Sequence, residues 1–213
     1  KRLKMLKVLF SPSEGKKVGG EILKTTLLGS SSSRDEILKT YNYIVSSKDE
    51  DSIKHLFGFK KFSDCEPYMV DIFNSEVMDA IERYQGVAYD YLEYEKLNSD
   101  AKNYILKNTI IFSNLYGPIY AEDKIPNYKV KQGNKIGDIE PDKFYKERFS
   151  YQLDLLFKDD DILDLRAGYY DKFYKPNKPY TTLKFLKCGK VVSHWAKAYR
   201  GLVLKAVANE KTQ

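Results

Sequence analysis

The sequence has little with which to build a metal or thiol centre. Its two cysteines, Cys65 and Cys188, and two histidines, His55 and His194, are scattered through 213 residues and complete no ligand-spaced group. A zinc site is therefore not expected and no metal or cofactor is implied, although carboxylates could still hold a hard cation, and in a reducing compartment both thiols should be free. No apolar run approaches the roughly 20 residues of a membrane-spanning helix. Lys1–Phe10 is basic and then apolar, but the apolar part is too short for a secretory leader, and Ser11-Pro12-Ser13 leads into charged residues. Met5 is the expected natural start, with residues 1–4 a foreign remnant, and the expected location is cytoplasmic. There is no internal repeat, and the only low-complexity stretch is the serine run Ser30–Ser33, read as a linker.

What is present suits a globular protein. Hydrophobic residues make up 42% of the chain and charged residues 31%, with the signs intermixed. The length predicts one domain, or two small ones, with a sizeable core, and the alternation of strands and helices along the chain favours a single domain over residues 1–213. The net charge of +6 conceals a division. Residues 35–103 carry 15 acidic and 8 basic side chains, a net of −7, whereas residues 166–205 carry 10 basic side chains against Asp171 alone, a net of +9. Tyr169, Tyr170, Phe173, Tyr174, Tyr180 and Trp195 interleave with those bases, a pattern suited to a polyanion. The plainer alternative is a generally lysine-rich surface, since 30 of the 36 basic residues are lysine.

Patterning predicts a strand over Lys4–Phe10, helices over Arg34–Val45 (Ser33 as N-cap), Asp51–Phe57 and Ser75–Tyr84, and a short strand or its exit over Gly86–Leu92. Further on it predicts a helix over Ala101–Leu106 capped near Asn98 or Ser99, strands over Thr109–Phe112, Tyr128–Lys131 and Ile162–Leu165, and a helix over Lys143–Phe157. A hairpin turning at Cys188-Gly189 and a closing helix over Trp195–Val207 complete the reading. The class is α/β, or mixed α+β, with a central sheet surrounded by helices.

Three loops share one arrangement, an apolar strand followed by polar residues and glycine: Ser11–Lys17, Ser113–Pro118 and Arg166–Tyr170. Strand ends gather at one edge of an α/β sheet, so these loops are expected to share a cleft, although three ordinary turns would read the same way. Ser11, Glu14, Lys16, Tyr116, Arg166, Tyr169 and Lys172 would furnish it with anion donors, one carboxylate and aromatic faces, and glycines such as Gly117 would let backbone amides approach phosphate. Gly15-Lys16-Lys17 lacks the earlier glycine and the following Ser or Thr of a nucleotide-binding P-loop, which excludes that class. A nucleophilic triad has only His55 and His194 to draw on. His194, beside the closing helix, reads as a packing or capping residue.

The same loops resemble the YaaA family of bacterial peroxide-stress proteins. Leu9-Phe10-Ser11-Pro12-Ser13-Glu14-Gly15-Lys16 is similar to its N-terminal signature, Ser113-Asn114-Leu115-Tyr116-Gly117-Pro118 to its central loop, and Asp164-Leu165-Arg166-Ala167-Gly168-Tyr169 to the third. Val192-Ser193-His194-Trp195-Ala196-Lys197-Ala198-Tyr199-Arg200-Gly201 is similar to its closing helix. The resemblance implies one α/β domain with a positively charged cleft that binds duplex and branched DNA, a role in limiting reactive iron under peroxide, and a helix-hairpin-helix element, placed at Ser113–Pro118 with its flanks. The resulting expectation is a sequence-independent DNA-binding protein. Ser11, Lys16, Gly117, Arg166, Lys172, Lys197 and Arg200 would act at phosphates, and Tyr116 or Tyr169 would stack on an unpaired base. The rival is an enzyme acting on a nucleotide or damaged base through Glu14, Lys16, Tyr116 and Lys197. Direct iron sequestration finds no ligand cluster in the sequence.

Overall fold

The structure, a computed structural model, describes residues 3–24, 27–29, 31–192 and 195–212. Ser193 and His194 of the fourth motif, and Ser30 of the serine run, lie outside the described residues. The chain opens with β1 (Leu6–Phe10) and β2 (Gly15–Lys16), then a 3-10 turn (Ser31–Arg34), α1 (Asp35–Ser46) and α2 (Glu50–Phe57). Next come β3 (Val77–Asp79), α3 (Ala80–Arg83), β4 (Tyr84–Gln85), α4 (Val87–Leu92) and α5 (Ser99–Asn108). The second half holds β5 (Thr109–Ser113), β6 (Gly117–Tyr120), β7 (Lys124–Pro126), α6 (Pro141–Phe157), β8 (Asp161–Asp164) and β9 (Thr181–Thr182). It closes with β10 (Leu186–Lys187), β11 (Lys190–Val191) and α7 (Ala196–Glu210).

The main sheet has the order β6-β5-β1-β8-β9. β1 lies at its centre, parallel to β5 (Val8 opposite Thr109) and to β8 (Leu6 opposite Asp161). A strand flanked on both sides and covered on both faces needs an unbroken apolar run, and Val8, Leu9 and Phe10 are all buried. The next two long-range connections leave β1 on opposite sides, so the C-terminal ends of β1, β5 and β8 bound a crevice of the kind where α/β sheets bind ligands. α5 packs on β1, β5 and β6, α6 on β6, and α7 on α4 and α5. The class expected from patterning is the class found.

Local chemistry explains most boundaries. Asn98 caps α5 by accepting from the Ala101 N–H at 2.8 Å. Gly58 ends α2 at φ 79°, and its N–H returns to the Lys54 carbonyl at 2.8 Å. α1 starts at Asp35 without the predicted Ser33 cap, because Arg34 is pulled inward. The buried Arg34 guanidinium donates to the carbonyls of Leu28 (2.6 Å), Tyr116 (2.7 Å) and Pro118 (2.7 Å), tying the turn before α1 to the β5–β6 hairpin.

Three predicted elements are corrected. Ser75–Tyr84 is not a helix: Val77–Asp79 pairs with Lys124–Pro126, and only Ala80–Arg83 is helical. Gly86–Leu92 is not a strand: after Gly86 it forms α4, held against α7. Tyr128–Lys131 joins no ladder: the Tyr128 N–H turns back to the Pro126 carbonyl at 3.1 Å and the Lys129 N–H goes to the Tyr41 hydroxyl at 3.0 Å. The predicted hairpin at Cys188-Gly189 forms as β10–β11, and Cys65 and Cys188 are both free. Among the described residues no helix is long and apolar enough to cross a membrane.

Candidate functional site

The strand ends deliver their loops to a cleft of about 420 Å³. β1 contributes Ser11, Pro12, Ser13 and Glu14, β5 contributes Asn114, and β8 contributes Leu165 and Ala167. The opposite wall is helical, with Gly86 to Tyr89 from the start of α4 and Lys197 and Arg200 from α7. α7 comes this near because position 201 has no side chain: a Cβ on Gly201 would stand 1.9 Å from the Ala88 carbonyl oxygen. A Cβ on Gly86 would likewise fall 2.5 Å from the Ser13 hydroxyl, which donates to the Gln85 carbonyl.

The floor is a network of hydrogen bonds. The Ser11 hydroxyl accepts from the Ala167 N–H at 2.8 Å, and the Tyr89 hydroxyl donates to the Ser11 carbonyl at 2.7 Å, while the Tyr89 ring meets Phe10 edge-on. Asn114 donates its amide to the Tyr170 hydroxyl (3.2 Å), which donates onward to Gln132 Oε1 (3.2 Å). Burial raises the pKa of the Tyr170 phenol, so it stays protonated and serves as a donor.

Charge enters from both walls. Lys197 is exposed and Arg200 half-buried, one helical turn apart on α7. Burial lowers the pKa of Arg200, opposed by the charge of Asp164. Facing them, Glu14 accepts from Lys129 Nζ at 3.4 Å and from the Gln132 N–H at 3.5 Å. Lys16 lies behind that loop. Its ammonium donates to the carbonyls of Ser13 and Glu14, each at 3.2 Å, and rests 4.2 Å from the centre of the Tyr128 ring. Burial, reinforced by Lys129 and partly offset by Glu14, brings the Lys16 pKa down to about 7.

Of the residues singled out in the sequence, Ser11, Glu14, Lys197 and Arg200 meet in the cleft, with Lys16 just behind its lip. Others lie elsewhere. Tyr116 is buried against Tyr128, not presented for stacking. Gly117 begins β6 at φ 65° with Tyr145 packed where a Cβ would go. The segment Ser113–Pro118 is the turn of a buried strand pair, so its flanks make no helix-hairpin-helix, and the amides of Leu115 and Tyr116 are taken by the Ser113 hydroxyl at 3.1 and 2.9 Å. Arg166 lies beneath the cleft. Nε and Nη2 clasp both Asp164 oxygens at 2.9 and 2.8 Å, and Nη1 and Nη2 reach the Tyr170 and Tyr174 carbonyls at 3.0 and 2.9 Å. A guanidinium so committed is a buttress of the β8 loop. Tyr169 and Lys172 stand together on the 3-10 turn Gly168–Lys172, the ammonium 5.0 Å from the ring centre, outside the cleft lining.

Asn114, Gln132, Lys129 and the helical wall at Tyr89 were not among the sequence candidates. Asn114 follows a β-branched strand and was within reach of strand-end reasoning; Gln132 and Lys129 come from irregular chain that no periodicity marks. Among the described residues no group of three or more His, Cys, Asp or Glu side chains gathers for a metal.

With this geometry in view, comparison with known proteins places the chain. The family model described as peroxide stress protein YaaA matches residues 6–213. An uncharacterised protein of Campylobacter jejuni is 43% identical over 98% of this chain and 87% of its own length. A UPF0246 protein of Streptomyces coelicolor is 28% identical over 94% of the chain and 82% of its own length. A UPF0246 protein of Rickettsia africae is 28% identical over 65% of the chain and 60% of its own length. A role in the peroxide stress response comes with these matches: the chain belongs to the YaaA family of peroxide stress proteins.

Proposed function

We propose that the chain binds DNA, duplex or branched, without regard to sequence, and that in the peroxide stress response it limits iron-mediated damage to that DNA. The observation that carries this reading is the pair Lys197 and Arg200, aligned on α7 over the strand-end crevice, with the facing carboxylate, Glu14, already engaged by Lys129. The cleft thus has a net excess of basic side chains, and Lys197, which makes no ion pair among the described residues, is available to phosphate. Ser11 adds a hydroxyl whose own proton is not spent on the Ala167 contact. Binding to a labelled duplex and to a four-way junction is expected to fall steeply as salt rises. No binding at low salt, or binding indifferent to salt, overturns the reading.

Lys16, held against the Ser13 and Glu14 carbonyls and the Tyr128 ring just behind the cleft's lip, favours a second reading, an enzyme acting on a nucleotide or damaged base that reaches this lip. An amine whose pKa is about 7 is largely unprotonated just above neutrality, and a lysine desolvated beside another lysine is the usual way to prepare one for attack on a carbonyl. The nitrogen would add to an aldehyde carbon, and water would carry off the carbonyl oxygen with two protons, leaving an imine. Borohydride in the presence of an aldehyde-bearing oligonucleotide should then fix a covalent adduct in the native protein and none in Lys16→Arg. Equal, background-level trapping in both discards it.

A further inference from the structure

We infer that the β10–β11 ribbon is a second DNA-contacting element, an arm that grips the phosphate backbone of a duplex beside the cleft; this rests on the DNA-binding reading above. The ribbon's geometry is well defined. Cys188 and Gly189 form its two-residue turn with φ 50° and 76°, the positive angles that match the twist of a tight hairpin. Leu186 opposes Val191, Lys187 opposes Lys190, and the Val192 N–H reaches the Phe185 carbonyl at 3.0 Å. The pleat puts Phe185, Lys187 and Lys190 on one face.

Two features point to an anionic partner. Lys187 and Lys190 are directly opposed like charges, an arrangement that destabilises a strand pair. Both are exposed, as is Lys184 just before them, and among the described residues no carboxylate lies within ion-pair distance of any of the three. The fold leaves that repulsion uncompensated, and a run of phosphates would relieve it. The second feature is direction. Phe185 stacks on Tyr199 of α7, ring centres 5.2 Å apart and planes 17° from parallel. The lysine face is therefore turned toward the helix that carries Lys197 and Arg200, and one polyanion could engage both.

The test compares the native chain with Lys187→Gln/Lys190→Gln on a labelled duplex across a salt series. Loss of two phosphate contacts should make the slope of log affinity against log salt shallower by about 1.8. The variant should unfold at the same denaturant concentration as the native chain or higher, because like-charge repulsion is removed. Cys188 gives an independent reading at the ribbon tip, since it is exposed while Cys65 is buried. Duplex DNA should slow its alkylation. If the native chain binds DNA but the variant keeps the native slope and Cys188 stays equally reactive, the arm is refuted and the cleft reading stands. If the native chain binds no DNA at low salt, the cleft reading fails first. If Leu186→Ser changes the oligomeric state while the lysine variant leaves DNA binding untouched, the ribbon is a protein-docking edge and the inference is wrong.

Discussion

Two stretches of the basic C-terminal segment look alike in sequence and behave oppositely in the fold. In residues 166–178, Arg166 is locked to Asp164 and two carbonyls, and Lys178 donates to the carbonyls of Phe157, Lys158 and Asp160 where α6 ends. In residues 184–200, Lys184, Lys187, Lys190 and Lys197 are all exposed. A charge count describes both stretches as polyanion-seeking. The first spends much of its charge on the fold, and only the second holds most of its charge in reserve.

Breaking the committed stretch should have the largest effect. Arg166→Met leaves the Asp164 carboxylate buried without its guanidinium, and chemical denaturation should show a loss of about 3–5 kcal/mol. Adding Asp164→Leu should restore much of it, because the unpaired charge goes too; no recovery would mean that the carbonyl contacts matter more than the ion pair. Next comes the joint between the cleft walls. Gly201→Ala drives a methyl group into the Ala88 carbonyl, and a loss of about 1–3 kcal/mol is expected from such overpacking, with weaker DNA binding as α7 moves away from β1.

The reserved stretch should respond in the opposite sense. Lys197→Gln should leave stability within about 0.5 kcal/mol yet make the salt slope of DNA binding shallower by about 0.9. A large stability loss with an unchanged slope would place Lys197 among the structural lysines. A separate expectation concerns pH. The folded pKa of Lys16 is about 7 against an ordinary 10.5, so between these values the unfolded chain binds more protons than the folded one. Stability should therefore rise with pH across that window, with the full cost of the buried ammonium felt below about pH 7. Lys16→Met should flatten the rise in urea midpoints measured from neutral to alkaline pH.

The same contrast explains what was legible in the sequence. β1, α5, β5, α6, the hairpin at Cys188-Gly189 and α7 follow from local pattern, capping and turn chemistry, and they lie where expected. Ser75–Tyr84 failed because Val77 and Ile81, four apart, are both buried for unrelated reasons: one pairs with Pro126, and the other follows on a single helical turn. In Gly86–Leu92, valine and tyrosine favour a strand, but packing against α7 overrides the preference. At the site, the family resemblance brought in Lys197 and Arg200, and strand-end reasoning found Ser11 and Glu14. It could not separate Arg166 from them, because depth beneath a loop is set by residues distant in the chain. Tyr116 misled for the same reason: a glycine-bearing turn usually faces solvent, but this one is closed over by Tyr145 and held by Arg34.

The position of β1 at the centre of the sheet has a consequence for how the molecule is made. Its partners on either side, Thr109–Ser113 and Asp161–Asp164, are translated about a hundred and about a hundred and fifty residues after it. At the usual synthesis rate of about 5–20 residues per second, the strand Val8-Leu9-Phe10 waits about 8 to 30 seconds for its second neighbour. Through that interval the nascent chain carries an apolar strand with an open edge, and pairings this distant also close slowly. A chain interrupted before Asp164 would keep that edge exposed, so fragments ending between β5 and β8 should be insoluble or bound to chaperones even though they contain more than half of the final core.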